Sequence, residues 1–316
     1  MKRLLVTGLA GFIGTNFARY VLENTDYALV GVDRLDTAGR LGPLAELKIQ
    51  HRDRLSFVWH DLKSVSPIPV DGPFEYIVHL AASSHVTRSV VDPLSFLLDN
   101  VMGTAHLLEW ARKYHPHTKL LYFSTDEVFG AAPDGVSFDE YSAHTPTNPY
   151  AASKAGAEVL VSAWASTYNM PLVVSHCTNC FGPGQDAEKF IPLVRDKVNA
   201  GAVVQIHARD GVPSSRYYVY VDNVSTAILT ILEKGGVWGG PLSGRFNISG
   251  THEFSNLWVA EQVAAHLGKP LHHELVEFVP DRPRHDQRYA IDSTRLEGLG
   301  WAPHVDFAEG LKRALG

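Results

Sequence analysis

The sequence has few cysteines, no block of basic residues and no long apolar run. Its net charge of -6 and the scatter of its basic residues argue against a nucleic-acid partner. The longest apolar runs, such as residues 4–6 and 227–232, are too short to cross a bilayer. We therefore expect a cytoplasmic globular protein that binds neither nucleic acid nor a membrane.

The two cysteines, Cys177 and Cys180, have the C-x-x-C spacing of a redox pair or of half a zinc site. A zinc site would need two further ligands at a suitable spacing, and the 16 histidines are scattered without one. No thioredoxin-like helix start follows the pair. We therefore predict two structural thiols and no metal site.

The first 180 residues alternate apolar strands with amphipathic helices, which predicts a parallel sheet. The predicted strands are residues 4–7, 28–33, 55–59, 76–80, 120–124 and 172–176, and the predicted helices are 12–23, 94–114 and 150–168. After residue 180, short helices at 190–199, 221–233 and 256–267 mix with short strands and loops rich in Pro and Gly. The predicted fold is α/β, a Rossmann-type doubly wound parallel sheet (1–180) with a smaller mixed α/β C-terminal substrate domain (181–316), the boundary being interleaved.

A glycine-rich turn joins the first predicted strand to the first predicted helix. Gly8, Gly11 and Gly14 let the backbone turn tightly and approach a pyrophosphate at the helix N-terminus. Asp33 ends the second predicted strand, where a carboxylate accepts hydrogen bonds from an adenosine ribose and repels a 2′-phosphate. The neighbouring Arg34 is able to accommodate that phosphate instead. The pattern favours NAD and leaves NADP as the alternative.

Tyr150 and Lys154 lie one helical turn apart and face the same side of a predicted helix. A free phenol, with a pKa of about 10, is a poor base at neutral pH. A nearby ammonium and the positively charged nicotinamide stabilise the phenolate. The alternative is a partly buried tyrosine beside a solvated lysine, which any helix can show. After a dinucleotide-binding turn, the spacing favours alcohol oxidation by a nicotinamide cofactor.

Two adjacent carboxyl groups, Asp126 and Glu127, follow the strand at 120–124 and Thr125. Neighbouring side chains of a strand point to opposite faces, so both reach one substrate only if the backbone leaves the strand at Thr125. Two carboxyls in one pocket tend to split their pKa values into an acid and a base. The alternative is an exposed acidic turn. In this setting the pair favours elimination of water.

On these motifs the chain resembles the extended short-chain dehydrogenase/reductase family, and within it the nucleoside-diphosphate-glucose 4,6-dehydratases acting on dTDP-glucose or UDP-glucose. The resemblance covers nearly the whole chain. It rests on residues 7–14, 80–89, 124–130, 148–154, 179–183, 188–192 and 281–289. The run Thr125-Asp126-Glu127 is its most specific part, because epimerases and decarboxylases of the superfamily usually lack the acid-base doublet.

The resemblance implies a role for each catalytic group. Tyr150, helped by Lys154 and Thr125, would take the C4 hydroxyl proton while hydride moves from C4 to NAD. Glu127 would then remove the C5 proton, Asp126 would protonate the departing C6 hydroxyl, and the hydride would return to C6. Oxidation must come first, because the C5–H bond is too weakly acidic until C4 is a ketone.

The resemblance also implies binding residues, with a nucleoside-diphosphate-hexose as the substrate. With the loop glycines and Asp33 included, the expected cofactor contacts are Gly8, Gly11, Phe12, Ile13, Gly14, Asp33, Arg34, Leu35, Asp36, Asp61, Leu62, Leu80, Ala81, Ala82, Ser84, Asp99, Tyr150, Lys154 and Cys180. The expected substrate contacts are Ser84, His85, Thr125, Asn179, Lys189, Phe190, Arg216, Asn247, Asp281, Arg282 and His285. Arg216 and Arg282 are expected as diphosphate partners, the alternative being surface charges. Family analogy implies a homodimer formed through the helices at 94–114 and 150–168.

Four positions depart from the family pattern. Asp99 stands where threonine is usual, Cys180 where asparagine is common, Phe129 where tyrosine is frequent, and Arg284 where glycine is usual. None of them removes a catalytic group. Two alternatives to the dehydratase stay open: a sugar-nucleotide epimerase or decarboxylase that uses the acidic pair otherwise, and a non-catalytic NAD-sensing regulator on a Rossmann scaffold.

Overall fold

The six apolar segments of the first 180 residues form parallel strands in the computed structural model, which describes residues 2–36, 39, 41–239, 244–277 and 286–316. The strands are β1 (Arg3–Thr7), β2 (Ala28–Asp33), β3 (Leu55–Trp59), β4 (Tyr76–His79), β5 (Lys119–Phe123), β6 (Leu172–Cys177), β7 (Asn179–Phe181), β8 (Val204–Arg209), β9 (Val212–Pro213), β10 (Ser215–Tyr220), β11 (Arg245–Ile248), β12 (Glu253–Ser255), β13 (His273–Val276) and β14 (Arg288–Tyr289).

The helices alternate with the strands in the first half, as predicted. They are α1 (Phe12–Asn24), α2 (Leu41–Gln50), α3 (Val86–Val91), α4 (Pro93–Leu97), α5 (Gly103–Tyr114), α6 (Pro149–Tyr168), α7 (Phe190–Asn199), α8 (Val221–Lys234), α9 (Asn256–Leu267), α10 (Thr294–Glu297) and α11 (Phe307–Leu315). None of the helices in the described ranges is long and apolar enough to span a membrane.

The central sheet has seven parallel strands in the order β11-β6-β5-β4-β1-β2-β3. Every residue of β6 is buried, including Ser175 and His176, and the apolar run at 172–174 made this strand predictable. The sheet order changes direction between β1 and β4, where open α/β sheets bind ligands.

Helices cover both faces of this sheet. Phe17 of α1 and Ile228 of α8 belong to the core on one face. Leu107 of α5 and Val161 of α6 belong to the core on the other. Each buried side chain of this size contributes about 1.5–3 kcal/mol. The predicted doubly wound Rossmann-type fold is therefore confirmed.

The prediction of a single α-helix over 94–114 is wrong at residues 98–102. A π-helical turn, Leu98–Met102, separates α4 from α5. Asn100 in this turn is buried, and its side chain accepts from the backbone nitrogen of Ser83 at 2.8 Å and donates to the Ser83 carbonyl at 2.9 Å. These two bonds hold the wide turn, a feature that hydrophobic periodicity does not reveal.

The C-terminal half has two small sheets and its own core, which includes Val194 and Val263. Two of its elements return to the first half: β11 pairs with β6 in the central sheet, and α8 packs against α1. The division at residue 180 stays a prediction, with these two elements crossing it.

Candidate active site

A cavity of about 890 Å³ opens where β1, β4, β5 and β6 end, between the two halves of the chain. A smaller cavity of about 100 Å³ adjoins it at the ends of β2 and β4. The predicted site residues that line the larger one are Gly8, Gly11, Phe12, Ile13, Gly14, Arg34, Asp36, Leu80, Ala82, Ser84, His85, Asp99, Thr125, Asp126, Glu127, Tyr150, Lys154, Asn179, Cys180, Lys189 and Phe190. Asp33, Asp61, Leu62 and Ala81 line the smaller one.

The turn between β1 and α1 has no room for side chains at two of its glycines. Gly8 has φ +74°, and a Cβ there would lie 2.5 Å from the backbone nitrogen of Ala81. A Cβ on Gly14 would lie 2.1 Å from the carbonyl oxygen of Gly8. The start of α1 lines the cavity at Gly11 and Phe12. This bare backbone at a helix N-terminus fits a dinucleotide pyrophosphate.

Backbone nitrogens hold the Asp33 side chain at the edge of the smaller cavity. Its two carboxylate oxygens accept from the nitrogens of Ala10 at 3.0 Å and Leu35 at 2.9 Å. Burial raises the pKa of Asp33, and these hydrogen bonds oppose the shift. Leu35, which was expected to contact the cofactor, lines neither cavity; its backbone, at φ +57°, orients Asp33 instead.

The chain bends at Thr125, as two catalytic carboxyls in one pocket require. β5 ends at Phe123, Thr125 is extended, and a 3₁₀ helix runs over Asp126–Phe129. The Thr125 hydroxyl accepts from the backbone nitrogen of Glu127 at 3.3 Å and caps this helix. Since the backbone no longer alternates as a strand, both Asp126 and Glu127 line the larger cavity.

Asp126 is buried, and its Oδ1 accepts from the Thr125 hydroxyl at 3.2 Å. It is 4% exposed, and its Oδ2 has no hydrogen-bond partner among the described residues. Burial and then the charge of Glu127 raise the pKa of Asp126 to about 7, although Arg216 and Thr125 oppose the shift. A carboxyl with this pKa is about half protonated at pH 7 and can therefore act as a proton donor.

The Glu127 carboxylate accepts hydrogen bonds from two side chains. Its Oε2 accepts from Asn148 Nδ2 at 2.9 Å and from the Tyr289 hydroxyl at 3.4 Å. Asn148 also caps α6, accepting from the nitrogen of Ala151 at 2.9 Å. Sequence reasoning assigned no role to Asn148, although an asparagine before a proline at a helix start is a recognisable capping signal.

Tyr150 and Lys154 lie on one face of α6 and are both buried. Burial and the charge of Glu127 raise the pKa of Tyr150 well above its usual value, against a hydrogen bond with Thr125. Burial lowers the pKa of Lys154 to about 7, while Glu158 opposes the shift. The Lys154 ammonium donates to the carbonyl oxygen of Phe123 at 2.7 Å and lies 4.2 Å from the centroid of the Tyr122 ring.

Side chains from the two halves meet beside the cavity. His85 Nε2 lies 2.8 Å from Glu188 Oε2, and Arg88 donates to Glu188 Oε1 at 2.7 Å. Lys189 Nζ donates to the carbonyl oxygen of Ser84 at 2.9 Å. The structure thus brings together Ser84, His85 and Lys189, three of the predicted substrate contacts.

Two predicted substrate contacts lie away from both cavities. Arg216 is 4% exposed and donates to the backbone oxygens of Asp286 at 2.7 Å and Gln287 at 3.0 Å. Asn247 is fully buried, with Oδ1 2.9 Å from His176 Nδ1. Neither side chain lines either of the two cavities, and direct substrate contact by Arg216 or Asn247 stays a prediction. Asp281, Arg282 and His285 lie outside the described residues.

The cysteines behave as buried thiols. Burial raises the pKa of Cys177 and of Cys180 far above the usual value. A group of three potential metal ligands is present elsewhere, at His144, Glu158 and His176. The side chains of this group contact one another at hydrogen-bond distances. Glu158 Oε2 lies 3.1 Å from His176 Nε2 and 3.2 Å from His144 Nε2.

Known proteins resemble this chain over its whole length. The family model described as GDP-mannose 4,6 dehydratase matches residues 5–314. A dTDP-glucose 4,6-dehydratase from Escherichia coli is 34% identical over 344 residues, covering 99% of this chain and 92% of that protein.

Solved structures match as well. The dTDP-glucose 4,6-dehydratase of Streptomyces venezuelae, solved with NAD bound, gives a TM-score of 0.87 at 33% identity and covers 99% of this chain and 95% of that chain. A UDP-glucose 4-epimerase from Thermus thermophilus, in complex with NAD, gives a TM-score of 0.85 at 28% identity. The match covers 99% of this chain and 97% of that chain. The chain therefore belongs to the GDP-mannose 4,6 dehydratase family of extended short-chain dehydrogenases/reductases.

Proposed function

We propose that this protein is an NAD-dependent nucleoside-diphosphate-glucose 4,6-dehydratase of deoxysugar biosynthesis. The observation that carries the proposal is the acid-base pair: Asp126 and Glu127 line one cavity with Tyr150, and their environments differ. Asp126 is buried with an oxygen unpartnered among the described residues, and Glu127 accepts hydrogen bonds. Relatives named dTDP-glucose 4,6-dehydratase, aligned over nearly the whole chain, support the same reaction.

Each group has a step that suits its surroundings. When bound, NAD would supply the hydride acceptor for C4 and the hydride donor for C6, and the C5 proton taken by Glu127 would return to C5 as C6 is reduced. Tyr150 takes the C4 hydroxyl proton, and the buried ammonium of Lys154 favours the phenolate. Glu127, oriented by Asn148, removes the C5 proton once C4 is a ketone. Asp126 donates its proton to the C6 hydroxyl, which leaves as water.

The fold alone does not choose between dehydration and epimerisation, since an epimerase shares it at a TM-score of 0.85. Epimerisation needs the Tyr-Lys pair and no proton donor at C6. A buried carboxyl with a pKa of about 7 beside a second carboxyl has no task in that reaction. The acid-base pair therefore favours the dehydratase over an epimerase, a decarboxylase or an NAD-sensing regulator.

A product assay tests the proposal. The protein is incubated with dTDP-glucose, UDP-glucose or GDP-mannose, and the nucleotide sugar is analysed by mass spectrometry. Loss of one water from any of them supports the dehydratase, and the comparison identifies the preferred base. A product of unchanged mass but altered retention would replace the proposal by epimerisation. No turnover of any nucleotide sugar would favour the regulator.

We also infer a homodimer built on α4, α6 and the π-helical turn. Leu94 is 68% exposed, Leu98 52% and Val159 61%. Leu94 and Leu98 are four residues apart and share a helix face. A homodimer that covers this face would bury them. Sedimentation velocity of Leu98→Asp should show a shift toward monomer, whereas Ile49→Asp, an exposed site on α2, should leave the dimer intact.

The cytoplasmic location stays a prediction, and so do the individual roles of the cofactor-binding and substrate-binding residues.

A further inference from the structure

The guanidinium of Arg34, the group able to hold a 2′-phosphate, is occupied by two carboxylates. Nη1 and Nη2 donate to the two oxygens of Asp99 at 2.6 and 2.7 Å. Nε donates to Asp36 at 2.5 Å, and Nη2 makes a further contact with Asp36. The guanidinium has five N–H groups, and it makes four contacts with these two carboxylates.

Asp99 is built into this position rather than lying loosely on the surface. Its side chain is 9% exposed and is carried by the π-helical turn. Ser83 Oγ donates to it at 2.6 Å and Lys63 Nζ lies 3.1 Å away. Burial raises the pKa of Asp99, but hydrogen bonds from Arg34, Ser83 and Lys63 outweigh it and bring the pKa to about 2. The carboxylate is therefore charged throughout the neutral range.

The charge around the smaller cavity is negative among the described residues. The cavity is lined by four carboxylates and two cations: Asp33, Asp36, Asp61 and Asp99, with Arg34 and Lys63. Both cations already face Asp99. A ribose that carries only hydroxyl groups meets carboxylate acceptors here, whereas a 2′-phosphate would meet like charge without a freely available cation among these lining residues.

We propose that Asp99 is a specificity-determining residue that excludes NADP, because it holds Arg34 and Lys63 in ion pairs and so withholds them from a 2′-phosphate. The inference rests on the proposed use of NAD. It also gives a physical meaning to the aspartate that stands where the family usually has threonine. Asp33 alone would repel the phosphate, but Arg34 would be free to compensate for it.

Cofactor occupancy tests this without turnover. The purified protein is incubated with equimolar NAD and NADP and desalted, and the bound dinucleotides are released and quantified by chromatography. Asp99→Asn keeps the shape of the side chain and removes its charge. We expect the NADP-to-NAD occupancy ratio to rise about tenfold, because a repulsion is removed and a charge-assisted hydrogen bond becomes available.

A second variant assigns the gain to Arg34. Adding Arg34→Ala to Asp99→Asn should remove most of the gain, since the phosphate then loses its partner. Asp196→Asn, an exposed site on α7, removes the same charge at a distance and should leave the ratio unchanged. If Asp99→Asn does not fold, Asp99→Thr takes its place.

Three results would overturn the inference: wild-type protein that takes up NADP as readily as NAD, a folded Asp99→Asn variant with an unchanged ratio, or an undiminished gain in the double variant. Wild-type protein that retains neither dinucleotide would overturn the proposed function itself. The two failures are therefore distinguishable in one experiment.

Discussion

Asp126 and Glu127 are neighbours in sequence that line one cavity and differ in hydrogen bonding. Asp126 Oδ2 is buried without a partner among the described residues, while Glu127 Oε2 accepts from Asn148 at 2.9 Å. The pKa of Asp126 rises to about 7, from burial first and the Glu127 charge second. One carboxyl is thus suited to donate a proton and the other to accept one.

Glu127→Gln should stop the reaction after oxidation. Tyr150 and Lys154 are unchanged, so hydride still leaves C4, but no base removes the C5 proton. Enzyme-bound NADH should accumulate and be visible by its absorbance, with product formation reduced by at least about a hundredfold. Glu309→Gln, an exposed site on α11, is the matched control and should turn over normally. Normal turnover by Glu127→Gln would assign the C5 base elsewhere.

The raised pKa of Asp126 predicts two pH effects. The group acts as an acid only when protonated, so the elimination rate should fall as pH rises through about 7. The folded state binds this proton more tightly than the unfolded state does, so the stability it contributes is present at low pH and is lost toward pH 7. Asp126→Asn abolishes this dependence.

Urea denaturation checks the second effect. Between pH 5 and pH 8, wild type should lose about 3 kcal/mol of unfolding free energy relative to Asp126→Asn. Parallel stability profiles for the two proteins would show that the Asp126 carboxyl titrates near its ordinary pKa.

Lys154→Ala should block the first step. Tyr150 is buried and its pKa is raised, so its phenolate needs a stabilising cation, and Lys154, one turn along α6, is the proposed one. Single-turnover NADH formation should fall by about two to four orders of magnitude. Lys312→Ala on α11 serves as the control. Unimpaired NADH formation by folded Lys154→Ala would remove Lys154 from the oxidation step.

Gly14→Ala should displace the cofactor turn. The new Cβ would lie 2.1 Å from the Gly8 oxygen and 2.8 Å from Leu9 Cα, and both contacts are with backbone. We expect a loss of about 1–3 kcal/mol in stability, together with loss of bound NAD. Gly42→Ala on α2 meets nothing within 4 Å and should be neutral or slightly stabilising. Full NAD occupancy in Gly14→Ala would show that the turn adapts.

Glu158→Gln should destabilise the fold behind the active site. Glu158 is buried, and its Oε2 lies 3.1 Å from His176 Nε2 and 3.2 Å from His144 Nε2; burial raises the pKa of Glu158, but these two contacts outweigh it and hold the pKa well below its usual value. Removing one partner of a buried pair costs about 3–5 kcal/mol. Glu261→Gln, exposed on α9, is the control. Equal denaturation midpoints for the two variants would mean that the contacts of Glu158 with His144 and His176 do not stabilise the fold.

Much of the scaffold follows from local patterns. β2 and β3 have the predicted bounds: β2 is a mostly buried apolar run, and β3, at the edge of the sheet, is apolar at every position except Ser56. α7 and α9 also have the predicted bounds, since apolar residues recur with helical spacing. The π-helical turn was missed, because Asn100 is held by Ser83, a residue 17 positions away.

The motifs of the site were predictable for the same reason as the scaffold, because they are local in sequence. Motifs that lie within a few residues of one another, such as the glycine turn and the Tyr150–Lys154 pair, were identified from spacing alone. Arg216 and Asn247 were assigned to the substrate through the family resemblance, Arg216 also because a guanidinium suits a diphosphate. Their burial on Asp286, Gln287 and His176 depends on segments up to 71 residues apart in sequence.

The sequence by itself determined the class of chemistry: a dinucleotide turn, a tyrosine-lysine pair and an acid-base doublet are local chemical choices. Only the tertiary structure decided how the carboxyls differ and what the charged residues do. The bend at Thr125 brings Asp126 and Glu127 into one cavity, and burial separates an acid from a base. The pairing of Arg34 with Asp99, 65 residues later, arises where the turn after β2 meets the π-helical turn. Burial and long-range pairing depend on the packing of distant elements, which no local pattern contains.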